Sequence, residues 1–145
     1  MPQGLDTDKQ VFFYEQEFYC LSNFSSFRVV YGSVDYYTAE SAYQCAKFSH
    51  KPILQAKVRR ARSSHDALLL ARQHASNVRE DWADVRVPVM LDILRAKTEQ
   101  HEYVRRKLLE TRERELIENS WRDDFWGWGP NRDGRNTLGK LWMVV

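Results

Sequence analysis

Hydrophobic and polar positions divide the chain into a short β-patterned start and a long helical remainder. "VFFY" (11–14) is β-prone, and "SFRVVYGSVDYY" (26–37) reads as two short strands joined at Gly32-Ser33. From residue 38 the period lengthens. Thr38 is placed to cap a helix in which Ala39, Tyr43 and Ala46 recur as a small-residue face that permits close packing. Pro52 suits the first turn of a second helix over 52–61. "SSHDALLLARQHA" (63–75) opens with Ser63 and carries Asp66 three residues on, the pattern of a capping box. Asp81 and Asp84 repeat that pattern around Trp82. Met90, Ile93, Leu94 and the stem of Lys97 continue that helix, with Pro88 expected to kink or restart it. A further helix over 99–111 leads to a strand candidate at "ELIEN" (115–119). "SWRDDFWGWGPNRDGRN" (120–136) has the composition of a loop, and "TLGKLWMVV" closes the chain as a short helix or strand with Asn136 as its cap. Strands come first and helices after, without βαβ alternation. The pattern predicts an α+β fold, mostly helical, with a small N-terminal strand region followed by a helical body.

Composition narrows the class without naming a chemistry. A chain of 145 residues with 43% hydrophobic and 29% charged residues is read as a single soluble domain over 1–145. No apolar run approaches the roughly 20 residues of a membrane span, and the N-terminus has no apolar stretch of an export signal. The expectation is a cytoplasmic protein without a membrane partner. The net charge of +2 is too small to imply nucleic acid by itself, although basic residues cluster in "KVRRAR" (57–62) and "YVRRKLLETRER" (103–114). Such runs are usually solvated helix faces, and phosphate attraction is the other reading. Cys20 and Cys45 have no metal-ligand spacing and make no disulfide framework, and Cys45 reads as a buried thiol. The histidines at 50, 65, 74 and 101 are scattered. No metal and no cofactor is expected.

Candidate chemistry lies in three stretches. In "YYTAESAYQCAKF" (36–48), Glu40 is the second residue of the helix that Thr38 caps. Free N–H groups and the positive end of the helix dipole favour its ionised form there. Glu40, Gln44 and Lys47 follow at i, i+4 and i+7, so an acid, an amide and an ammonium share one stripe. Solvated, the stripe is a capped helix start; facing a cleft, it is a functional surface. "DDFWGWGPNRDGRN" offers Asp123, Asp124, Trp126, Trp128, Asn131, Asp133 and Asn136 among glycines, with carboxylates and stacking faces but no phosphate-loop spacing. In "CLSNF" (20–24), Asn23-Phe24 reads as a turn with a buried ring or as a ligand contact.

Taken together, these stretches resemble the NADAR (YbiA-like) family. Its "FY…SNF" start and "W-P-T-S-E-H-Y-F-Q-A-Q-K-F" segment are matched by Phe13-Tyr14, Ser22-Asn23-Phe24, Thr38, Glu40, Gln44 and Lys47-Phe48. "LLLARQHASNVREDWADVRVPVM" is similar to the family's basic stretch and places Arg72, Arg79, Trp82, Val85, Val89 and Met90 on its positions. The C-terminal "DDFWGWGPNRDGRNTLGKLWM" places Asp123, Trp126, Gly127, Gly134, Asn136, Leu138, Gly139 and Met143. The departures are Tyr36-Tyr37 for Trp-Pro, Ala39 for Ser, and Ser41-Ala42 for His-Tyr.

The resemblance implies an N-glycosidase that hydrolyses a ribosyl C1′–N bond without metal or redox cofactor. Its small phosphorylated substrate would be a ribosylamino-pyrimidine intermediate of riboflavin biosynthesis. An alternative is an ADP-ribosyl-guanine hydrolase acting on modified DNA or RNA, and a second is a non-catalytic ADP-ribose or NAD-binding module. By analogy with the carboxylate pairs of glycosidases, Glu40 and Asp123 are the expected catalytic residues. Trp126, with Phe24 or Trp82, would stack the heterocycle. Arg72, Arg79 and Lys47 would meet phosphate, and Asn23 and Asn136 would orient sugar or base, with Gln44 beside Glu40.

Overall fold

A computed structural model describes residues 6–7, 9–13, 16–118, 123, 125–127, 129 and 134–145. The described residues form strands β1 (Gln10–Phe12), β2 (Val29–Tyr31), β3 (Val34–Tyr36) and β4 (Glu115–Ile117). The helices are α1 (Ala39–Ala46), α2 (Pro52–Arg59), α3 (Ser64–Gln73), α4 (Trp82–Gln100), α5 (Glu102–Glu110) and α6 (Thr137–Val144). The fold is α+β and mostly helical, as the patterning implies. Internal contacts group the chain into two compact units, one made of residues 26–100 and the other of 1–25 with 101–145.

In the unit of residues 26–100, β2 and β3 form an antiparallel hairpin with Val29 opposite Tyr36 and Tyr31 opposite Val34. Gly32 and Ser33 both have positive φ, +58° and +64°, the geometry that a tight two-residue hairpin turn needs. The edge of β2 is closed by the Gln100 amide, which accepts from Val30 N–H and donates to Val30 C=O, both at 2.8 Å. Helix α1 starts where expected, with Thr38 Oγ1 accepting the Ser41 N–H at 3.1 Å. Ser63 does the same for α3 through the Asp66 N–H, and Pro52 occupies the first turn of α2. Helix α1 packs against α2, α3 and α4. Helix α4 buries Met90, Ile93, Leu94 and Lys97, one face at i, i+3, i+4 and i+7.

Helix α4 neither ends nor restarts at Pro88. Proline removes the N–H that the Asp84 carbonyl would accept. Pro88 lies on an exposed face, where water can serve that carbonyl. The helix expected over 99–111 instead begins at Glu102, because α4 runs on to Gln100.

In the other unit, β1 and β4 pair in parallel, Gln10 with Glu115 through Phe12 with Ile117. Asn136 precedes α6 in a left-handed conformation, φ 51°, and does not cap the helix with its side chain. Its amide serves β4 instead: Nδ2 donates to Leu116 C=O and Oδ1 accepts from Glu118 N–H, both at 2.9 Å. One turn on, Gly139 packs so closely on β4 that a Cβ would overlap the Leu116 carbonyl oxygen. Trp142 is fully buried and donates from its indole to Leu21 C=O at 2.8 Å. Tyr14, Asp124, Trp128, Asn131 and Asp133 lie outside the described residues.

Two substitutions test how α6 is held on β4. Asn136→Ala leaves the buried Leu116 carbonyl of β4 and the part-buried Glu118 N–H just after it unserved and is expected to cost about 1–3 kcal/mol. Gly139→Ala is expected to cost a similar amount, about 1–3 kcal/mol, through overpacking. Urea midpoints read both, and a wild-type midpoint for either would remove that contact from the account.

Candidate active site on a buried helix

The polar stripe of α1 is not solvated. Seven of its eight residues, Ala39 to Cys45, are buried. Glu40 is 8% exposed and Gln44 is 2% exposed. Ala39, Ala42 and Cys45 have small side chains, so neighbouring helices approach closely and cover the polar positions too. Gln44 Nε2 donates to Glu40 Oε1 at 3.0 Å, one helical turn apart. The carboxylate therefore sits at a helix N-terminus, tied to an amide and turned into protein.

Lys47 completes the stripe. Its ammonium lies 5.5 Å from the Tyr43 ring centroid, and that ring packs at 5.1 Å and 56° against Trp82 of α4. Burial lowers the Lys47 pKa, the carboxylate of Glu40 opposes that shift, and the guanidiniums of Arg72 and Arg86 reinforce it. Arg72 and Arg86 thus join the same electrostatic cluster, from α3 and α4. Arg79 is close in chain terms, since its N–H donates to Lys47 C=O at 2.9 Å. Its guanidinium is directed elsewhere, with Nε and Nη2 on the two Asp81 oxygens at 2.5 and 2.8 Å and Nη1 on Ser49 Oγ.

Sequence reasoning did not single out Arg86 or the ring of Tyr43. The signal for Arg86 was its charge in the otherwise apolar "VRVPVM", one turn after Trp82. Cys45, on the same helix, has its thiol pushed up to about 12 by burial, which makes it a packing group and not a nucleophile. Among the described residues no group of His, Cys, Asp and Glu has the arrangement of a metal site.

The remaining expected residues belong to the other unit. Asn23 is buried and Phe24 exposed, in a turn closed by Phe24 N–H to Ser22 Oγ and by Ser25 Oγ to the Cys20 and Ser22 carbonyls. Asp123 Oδ1 accepts the N–H groups of Phe125 and Trp126, each at 2.9 Å. That double bond to backbone shapes the start of the aromatic loop. Phe125 and Trp126 stack edge to face at 4.8 Å. The Asn136 amide is committed to β4, as described above.

The NADAR domain profile matches residues 12–145. The chain belongs to the NADAR family. It is 36% identical over 140 residues to a riboflavin biosynthesis protein of Vibrio vulnificus, covering 95% of this chain but only 38% of that protein. It is 34% identical over 139 residues to an N-glycosidase of Nostoc punctiforme, covering 93% of this chain and 89% of that one. The NMR structure of Escherichia coli YbiA matches this NADAR chain with a TM-score of 0.84 at 31% identity, over 98% of this chain and 85% of that one.

Lys47 gives the buried stripe a pH signature. Its pKa is lowered in the folded state from 10.5. Between the lowered value and 10.5 the unfolded chain therefore binds more protons, and folding stability rises with pH through that window. The wild type is expected to gain stability relative to Lys47→Met as pH is raised toward 10.5, read as urea midpoints across a pH series. A difference that does not vary with pH would exclude a buried ammonium.

Proposed function

We propose that this NADAR chain is an N-glycosidase, a hydrolase of ribosyl C1′–N bonds, with phosphorylated ribosylamino-pyrimidines as substrates. The observation that carries the reading is Glu40: a carboxylate 8% exposed, on a rigid helix N-terminus, hydrogen-bonded to Gln44. The names of the relatives, N-glycosidase and riboflavin biosynthesis protein, support an N-glycosyl bond and a link to riboflavin synthesis.

Cleavage of a ribosyl C–N bond develops positive charge at C1′ and the ring oxygen. A fixed negative charge already in place stabilises that state without reorganising. In this mechanism Glu40 provides the charge and takes a proton from the attacking water. Lys47 and Arg72 face the phosphate, with Arg86 in the same cluster, and Arg79 acts at the rim, held by Asp81. Tyr43 and Trp82 form an aromatic wall. The family resemblance makes Asp123 the proposed second carboxylate, and its loop-shaping bonds use only Oδ1. Phe24 and Trp126 would stack the heterocycle, and Asn23 would orient it. Asn136 would then act at a distance by holding the loop end to β4. No step calls for a cofactor.

A second reading is favoured by a specific feature, an open cleft of about 740 Å3 whose apolar floor of Pro52, Ile53 and Leu54 is bordered by Lys51, Lys57, Arg60, His74 and Asn77, with no carboxylate. Such a cleft suits the phosphates of ADP-ribosylated DNA or RNA. Salt separates the two, because polyanion binding loses counterion release steeply as salt rises and a monophosphate does not.

Product analysis tests the assignment. Wild type and Glu40→Gln are each given a ribosylamino-pyrimidine phosphate and, separately, DNA bearing ADP-ribosylated guanine, with released base followed by mass spectrometry. Glu40→Gln is expected to lose activity by on the order of 10²-fold or more, the scale of a positioned acid–base group, while keeping the fold. Near-normal turnover would reduce Glu40 to a helix-start residue. Asp123→Asn retains an Oδ1 acceptor for the loop, so a slow, folded, substrate-binding variant identifies chemistry. Full activity in Asp123→Asn would leave Asp123 as a turn residue alone.

A further inference from the structure

Gln44 is half satisfied. It is 2% exposed, its Nε2 donates to Glu40, and its buried Oε1 accepts no hydrogen bond among the described residues. The amide's orientation follows from its neighbour. An ionised carboxylate only accepts, so the NH2 end must face Glu40 and the carbonyl must face away. A buried carbonyl left without a donor is a standing penalty that a ligand or a water removes. Two acceptors, the Glu40 carboxylate and the Gln44 carbonyl, therefore lie one helical turn apart on one stripe. A sugar hydroxyl has a single O–H and serves one of them. Water has two and serves both.

We infer that Gln44 positions the nucleophilic water, which donates one hydrogen to Gln44 Oε1 and the other to Glu40. This deepens the proposed N-glycosidase reading and rests on it. Held so, the water directs a lone pair away from both acceptors, toward C1′. Its oxygen forms the new C1′–O bond while the C1′–N electron pair leaves with the amino nitrogen that the pyrimidine carries. Glu40 takes the proton that the water gives up, and the nitrogen gains one, so the balance is the addition of water across the C1′–N bond. Gln44 has a second effect, since its Nε2 holds the Glu40 carboxylate in place. The two effects separate because only the carbonyl touches the nucleophile.

The separating experiment is solvent partitioning. Full-length protein cleaves a ribosylamino-pyrimidine phosphate in water–methanol mixtures, and ribose phosphate and methyl riboside phosphate are quantified. Methanol has one O–H and cannot serve both acceptors, so the wild type is expected to select water beyond its mole fraction. Gln44→Met removes the carbonyl at similar volume. It should raise the methyl riboside share several-fold and lower kcat by on the order of 10²-fold, the scale of a misplaced reactant, with KM little changed. Gln44→Glu restores an acceptor, and on the acid side, where the two carboxyls share a proton, it should return the partition toward the wild-type value. This variant also serves if Gln44→Met does not fold. An unchanged partition in a folded Gln44→Met, or bulk-solvent partition in Gln44→Glu at every pH, overturns the assignment of Gln44 alone. Absence of any cleavage by the wild type overturns the functional reading, and this inference with it.

Discussion

The place of α1 depends on one short contact between hydroxyls. Thr38 Oγ1 and Ser64 Oγ lie 2.6 Å apart, both buried, while the same Thr38 oxygen accepts the Ser41 N–H. One atom therefore decides where α1 begins and ties its first turn to the first turn of α3. The consequence is rotational as much as positional. An α-helix has about 3.6 residues per turn, so a start displaced by one residue swings every side chain by about 100°. Glu40, Gln44 and Lys47 would leave their stripe's environment together. Only a buried start of this kind, closed on both sides by hydroxyls, can hold a polar stripe inward.

Holding it inward works against stability. A carboxylate and an amide on one short helix, with a half-buried ammonium at its C-cap, lose water, and that desolvation is the main cause lowering the Lys47 pKa. Apolar residues of the same size would pack as well without that penalty. At Cys45 the helix exchanges hydrogen bonds with α2: Gln55 donates to Cys45 C=O while the Cys45 thiol meets Gln55 C=O. The buried Gln44 carbonyl on that same helix accepts no hydrogen bond among the described residues, and the proposed reading of the stripe draws on it. Stability set aside in this way at one spot is the usual mark of a site where charge must be ready before the ligand arrives.

How much of this is legible in the sequence follows from the range of each interaction. Thr38, Ser63, Pro52 and the Gly32-Ser33 turn act on backbone within four residues, so their roles can be read along the chain, and the structure has each of them in place. Burial of the stripe cannot be read that way. Helical spacing shows that Glu40, Gln44 and Lys47 share a face, but only tertiary packing decides that the face is covered. Asn136 shows local grammar losing to tertiary contact. Its position before α6 is that of a cap, yet its amide spans 18 to 20 residues of sequence to serve β4. Arg79 fails to reveal itself for a similar reason, because a fork shaped for phosphate is equally shaped for the carboxylate of Asp81.

The two carboxylates of the proposed mechanism are held by different means, and under that proposal the difference would fit them to different tasks. Glu40 is fixed by a helix, with an amide from the next turn as its partner, so its charge has little freedom to move. Asp123 stands in a loop whose shape it creates by accepting two backbone N–H groups through one oxygen. A group that must stabilise charge at a defined atom belongs on the stiffer support, since displacement of about 1 Å is enough to forfeit about a hundredfold in rate. A group that must meet one heterocycle and release it belongs with the loop, where Trp126 and its neighbours can differ without moving Glu40. Under the proposed mechanism, chemistry held by α1 and selectivity held by the loop would be separable properties. Relatives sharing the helix but differing in the loop would keep the bond they cleave and change the base they release.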